Sequence, residues 1–153
     1  MELLSLSNNR SGPESLPPGV LSPLRNLRTL NLDHNHRGVF NGMSGLLVLD
    51  LSANRLKNKG LPRDSFVNAT HLESLNLEGN KLKRVPRTLP CSLKALNLEG
   101  NLISSIKKAS FLNLNSLEHL GLGRNKIFKV HFPALEPVLH GSFSLPSKYK
   151  SCS

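Results

Sequence analysis

The chain has 153 residues, enough for one domain, and carries 20 Lys+Arg against 10 Asp+Glu, a net charge of +10. Leucine dominates the apolar set while there is no Trp and only one Tyr, an imbalance that points to internal repetition rather than a mixed globular core. Two cysteines, Cys91 and Cys152, are too few for a disulfide framework and lack zinc-site spacing, and no apolar run approaches the roughly 20 residues of a membrane helix.

The first segment, Met1-Glu2-Leu3-Leu4-Ser5-Leu6, has no basic n-region, long apolar stretch or small-residue cleavage site, so it does not read as a secretory leader. Leu4, Leu6 and Asn9 are instead the remains of a pattern that becomes clearer downstream. Leu27, Leu30, Leu32 and Asn35 are a second copy, with Arg37 where an apolar residue belongs. Leu46, Leu49, Leu51, Asn54 and Leu56 are a third. Leu72-x-x-Leu75-x-Leu77-x-x-Asn80-x-Leu82 is the fullest. Leu93, Leu96, Leu98, Asn101 and Ile103 follow, then Leu117, Leu120, Leu122, Asn125 and Ile127. In each Leu-x-Leu pair the side chains alternate, so both leucines face one side of a short strand and the residues between them face the other. One such coil cannot bury its own apolar face, but stacked coils bury a continuous core. The recurring Asn is expected to hydrogen-bond backbone groups stranded by the bend. Phe40, Phe66 and Phe111, and Leu21 in the first return segment, sit six positions before the next leading Leu and read as a core spine.

This spacing is that of leucine-rich repeats. The expected fold class is an α/β-type leucine-rich-repeat solenoid, with short parallel strands on the concave face and irregular, 3-10 or short helical turns on the convex face. About six repeats, the first partial and none a cap, occupy 1–128; the Pro/Ser/Lys-rich stretch 129–153 reads as an irregular or disordered tail. The 19-residue interval between Asn35 and Asn54 is short for a coil, and local distortion is expected after Asn35.

The segment Asn80-x-Leu82-x-x-Val85-Pro86-x-x-Leu89-Pro90-x-Ser92-Leu93-x-x-Leu96-x-Leu98-x-x-Asn101-x-Ile103 resembles the short proline-bearing repeat of the small leucine-rich repeat proteoglycans, which alternates with longer Phe-bearing repeats. The long unit Asn54–Asn80, with Gly60-Leu61-Pro62 before Phe66, is similar to long repeats of podocan-like and extracellular matrix protein two-like members. The resemblance covers about residues 1–128. It implies a secreted extracellular-matrix protein that binds collagen and often sulfated glycosaminoglycan, such as heparan or dermatan sulfate. The family's N-terminal cysteine cluster and C-terminal cysteine-bearing cap have no counterpart here, so the chain is expected to be a fragment or truncated isoform. The alternative is an intracellular leucine-rich-repeat scaffold that binds a protein partner.

Candidate binding residues follow from the alternation. Between and just after the paired leucines lie Asn31, Asp33, Asp50, Ser52, Asn76, Glu78, Asn97 and Glu99, with Ser5, Ser7, Gly121 and Gly123 in the same columns. Four of the ten acidic residues fall there and no Lys or Arg does, which suggests an acidic, amide-rich track for an extended partner, or simply a solvated strand face. Basic residues cluster in the flanking loops: Arg55, Lys57, Lys59 and Arg63; Lys81, Lys83, Arg84 and Arg87; Lys107 and Lys108, with Arg124, Lys126 and Lys129 one coil on. They are candidates for polyanion binding by point charge and counterion release, against a merely solubilising rim. No aromatics interleave them and no reading helix is evident, so nucleic acid is not expected. Asn68-Ala69-Thr70 is a glycosylation sequon, with Asn68 the acceptor. Asp33-His34-Asn35-His36 offers no third ligand, so no metal site is expected. No nucleophile elbow or phosphate loop is present, and neither catalysis nor a cofactor is expected.

Overall fold

A computed structural model of the chain describes residues 3–5, 29–31, 44–61, 66, 69–131, 133 and 142–144. Its strands are β1 (Leu3–Ser5), β2 (Thr29–Asn31), β3 (Val48–Asp50), β4 (Ser74–Asn76), β5 (Ala95–Asn97), β6 (Ser105–Ile106), β7 (His119–Gly121), β8 (Lys129–Val130) and β9 (Ser142–Ser144), with one 3-10 turn at Asn58–Gly60. Seven of them form one parallel sheet in the order β1-β2-β3-β4-β5-β7-β9, and β6 and β8 form a second, two-stranded parallel sheet. The leucine-rich-repeat solenoid expected from the period is the fold.

The register of the large sheet is the leucine register. Leu4 aligns with Leu30, Leu49, Leu75, Leu96 and Leu120 in succession, and one position further Ser5, Asn31, Asp50, Asn76, Asn97 and Gly121 align. A one-residue slip would turn every leucine out to water, so burial itself fixes the pairing. Leu49, Leu75, Leu96 and Leu120 are buried, as are their partners Leu51, Leu77, Leu98 and Leu122. Leu46, Leu72, Leu93 and Leu117 enter the same core from the preceding corner, and Leu56, Leu82, Ile103 and Ile127 close it from the following one. Phe66 and Phe111 are buried in it too, as expected for a spine; Phe40 lies outside the described residues. The short Asn35–Asn54 interval leaves the sheet intact, since Leu30 still pairs with Leu49; residues 36–43, where distortion is expected, are outside the described residues.

The asparagines form a ladder. The Asn101 side-chain amide donates to the carbonyls of Leu98 at 3.0 Å and Glu99 at 3.2 Å in its own coil, and of Leu77 at 2.9 Å in the preceding coil. Its oxygen accepts the Leu82 N–H at 3.1 Å. Asn80 repeats this on Leu77, Glu78 and Leu51, accepting from Asn54 and Leu56 N–H, and Asn125 repeats it on Leu122, Gly123 and Leu98, accepting from Ile103. Each amide thus satisfies backbone groups of two coils at a bend that no strand partner can reach. Burying the side chains of Asn80 and Asn101 is tolerable because their polar atoms have these partners.

The C-terminal side differs from the expected boundary at 128. Lys129–Val130 pairs with Ser105–Ile106, and Ser142–Ser144 pairs with His119–Gly121, so Phe143 stands in the register of Leu120. Phe143-x-Leu145 preserves the apolar alternation of Leu-x-Leu, but without the leading Leu or the Asn it does not register as a repeat. The remainder of 129–153 apart from His131 and Pro133 is outside the described residues.

Candidate interaction surfaces

The open face of the large sheet carries the residues that alternate with the core leucines. A depression of about 420 Å³ on this face spans β4, β5 and β7 and is lined by Ser74, Asn76, Ala95, Asn97, Glu99, His119 and Gly121. The expected columns are therefore brought together for Asn76, Asn97 and Glu99, with Asp50 one strand over. For Asn31 the structure places the strand backbone in the sheet; Asp33 lies outside the described residues, as do Asn68, His34 and His36.

The sequence reading missed one column, the residues just before the first paired leucine. Val48, Ser74, Ala95 and His119 align across β3, β4, β5 and β7. The same two-residue alternation puts them on the open face, and His119 and Ala95 supply one side of the depression.

The amide column has a local structural task as well. The oxygens of Asp50, Asn76 and Asn97 accept the N–H two residues on, from Ser52 at 2.9 Å, Glu78 at 3.0 Å and Glu99 at 3.0 Å. This is the Asx geometry that lets a short polar side chain imitate a turn, and it fixes the exit of each strand. The Asn97 amide also donates to a Glu78 carboxylate oxygen at 3.2 Å. Gly121 takes the place of the amide in β7. A Cβ there would stand 2.9 Å from the Asn97 Oδ1 and 3.1 Å from the Glu99 Cγ, so its absence is what lets those two side chains lie flat on the sheet.

Arg124 corrects the picture of a purely acidic track. It was expected in the basic rim, but its guanidinium hydrogen-bonds Glu78 and stands 3.6 Å from Glu99. The backbone explains how it gets there. The residue before each ladder Asn has positive φ: 53° at Ala53, 68° at Gly79, 63° at Gly100 and 50° at Arg124. That conformation favours glycine. Arg124 adopts it nonetheless, with its guanidinium carbon lying over Gly100, and so reaches carboxylates one and two coils back. The pairs are well exposed, so they neutralise charge more than they stabilise the fold.

The basic candidates Arg55, Lys57, Lys59, Lys81, Lys83, Arg84, Lys107 and Lys108 are all exposed. The structure divides them. Arg84 and Lys107 line a groove of about 300 Å³ together with Arg87, and Lys107 and Lys108 line a second, of about 570 Å³, together with Lys129 and His131. Arg55, Lys57, Lys59, Lys81 and Lys83 line neither. Cys91 is exposed, and Cys152 is outside the described residues.

The leucine rich repeat family model matches residues 36–82 and 91–131. The chain is 30% identical over 153 aligned positions to podocan-like protein 1 of Mus musculus, which covers 83% of this chain and 27% of that protein. It is 36% identical over 129 positions to podocan of Mus musculus, covering 83% of this chain and 21% of that protein. It is 31% identical over 128 positions to decorin of Rattus norvegicus, covering 84% of this chain and 36% of that protein. The chain thus spans well under half the length of these curated relatives. The chain belongs to the leucine-rich repeat family, and within it is similar to the small leucine-rich proteoglycans podocan, podocan-like protein 1 and decorin.

Proposed function

We propose that the chain is a non-catalytic protein-binding module of an extracellular matrix protein, and that its open sheet face takes an extended partner of the collagen type. The observation that carries this reading is the flat hydrogen-bonding floor across β4, β5 and β7. Asn76 and Asn97 stand there in register beside the small residues Ser74, Ala95 and Gly121, with Glu78 and Glu99 at the strand exits. A collagen triple helix is rod-like, with solvated backbone and outward charges. Such a partner needs an open trough with polar groups at the coil spacing rather than an enclosed pocket. Sulfated glycosaminoglycan is the second partner in this reading, held by the basic residues away from the sheet. Similarity to podocan and decorin supports placement in the matrix, and the Asn68-Ala69-Thr70 sequon is the reason to assign a glycan to Asn68. Among the described residues no helix is long and apolar enough to cross a membrane.

The test is solid-phase binding to fibrillar collagen, comparing the wild-type chain with Glu78→Lys/Glu99→Lys. Saturable binding that the double variant loses supports the face assigned here. Equal binding by both moves the site elsewhere, and no binding by the wild type removes collagen as the partner. Expression behind a secretory leader, with and without Asn68→Gln, tests the sequon. A mobility shift confined to the wild type shows that Asn68 accepts glycan, and its absence favours the intracellular scaffold.

A further inference from the structure

The charges of this solenoid are sorted by face. In the segments 81–93, 102–117 and 126–131, which run from each strand exit across the back of three successive coils, there are eight Lys and Arg and no Asp or Glu. The described carboxylates Asp50, Glu73, Glu78, Glu99 and Glu118 all lie on the strands or immediately beside them. Ion pairs among the described residues join Lys94 to Glu73 and Arg124 to Glu78 and Glu99, and none of these pairs engages the eight cations of the back.

The back is also shaped. Strand β6 rises between two grooves. Arg84, Arg87 and Lys107 line one, and Lys107, Lys108, Lys129 and His131 line the other, where Phe128 is 70% exposed. Lys107 borders both. Because β6 and β8 pair in parallel, Ser105 against Lys129 and Ile106 against Val130, the backbone segments that carry Lys107 and Lys129 lie side by side, one inter-strand distance of about 4.8 Å apart. We infer that these two grooves form one continuous site for a linear sulfated polysaccharide laid across the coils. Lys107 sits at its centre, and Phe128 packs against the apolar face of a sugar ring. The inference rests on the reading that the chain binds sulfated glycosaminoglycan, and it locates that binding away from Arg55, Lys57 and Lys59. A recessed cationic trough suits a narrow polyanion better than a flat anionic membrane. One exposed ring among the cations does not provide the run of stacking surfaces that bases need.

The experiment compares three proteins by heparin titration at several salt concentrations. They are the wild-type chain, the groove variant Arg87→Gln/Lys107→Gln/Lys108→Gln/Lys129→Gln, and a charge-matched control Lys57→Gln/Lys59→Gln/Lys81→Gln/Lys83→Gln. Lys107→Gln alone is the reserve should the fourfold groove variant not fold. Phosphatidylserine–phosphatidylcholine vesicles and duplex DNA are titrated alongside. The expected result is a loss of about tenfold or more in heparin affinity for the groove variant, with the slope of log affinity against log salt falling by about 3. The control should lose no more than about threefold in affinity. Equal losses in the two variants overturn the grooves while leaving glycosaminoglycan binding in place. Wild-type protein that binds no heparin overturns both. Tighter binding to the vesicles or to DNA than to heparin overturns the choice of polyanion.

Discussion

Two successive coils share everything on the sheet side and almost nothing behind it. The coil from Asn80 to Asn101 returns through Val85-Pro86 and Leu89-Pro90. The coil from Asn101 to Asn125 returns through β6 and a run of tight turns around Phe111 and Leu114. On the sheet side both keep the same strand length, the same leucine register and the same Asn contacts. Behind, the longer coil closes i to i−3 hydrogen bonds from Leu114 to Phe111 and from Leu117 to Leu114, while the shorter keeps one such closure, from Leu93 to Pro90. The shorter coil compensates through Ser92, whose hydroxyl donates to the Leu72 carbonyl at 2.7 Å. Pro86 holds the place that Lys107 holds one coil later, and the Lys107 N–H goes to the Ser110 hydroxyl oxygen at 2.8 Å rather than to the coil of Pro86. Stability therefore resides in the part the coils share, and surface chemistry is free to vary in the part they do not.

The largest effect should come from the shared ladder. Asn101→Ala removes a side chain whose atoms bond groups of both coils and leaves buried carbonyls and an N–H without partners. A loss of about 4 kcal/mol is expected in chemical denaturation. A loss under about 1 kcal/mol would break the claim that the ladder joins the coils. Next is Leu96→Ala, at the centre of the sheet and fully buried, with an expected loss of about 3 kcal/mol.

The position before the ladder Asn sharpens the comparison at smaller scale. Gly100→Ala places a Cβ at φ 63° and should cost about 1 kcal/mol. Arg124→Gly relieves the same strain but gives up exposed ion pairs, so its net effect should stay within about 0.5 kcal/mol. If Arg124→Gly destabilises as much as Gly100→Ala, the ion pairs are structural after all. Least of all, Lys107→Gln/Lys108→Gln should shift the denaturation midpoint by no more than about 0.5 kcal/mol equivalent, since both side chains are exposed. A larger shift would mean that the back of the long coil supports the fold.

The sequence alone determined the repeat, the positions and register of the Leu-x-Leu strands, and the ladder, because a two-residue alternation around buried leucines admits one pairing and a buried Asn demands partners. It also listed most of the open-face residues, since they are whatever the leucines are not. Only the tertiary structure decided where the charges finally point. Arg124 reaches over Gly100 to carboxylates on other coils, and Lys107 joins groups from three return segments into two grooves. It alone showed Phe143 adding a strand in the leucine register. These outcomes depend on which residues stacking brings side by side from positions about twenty or more apart in the chain, and no local spacing encodes the path of a long side chain between coils.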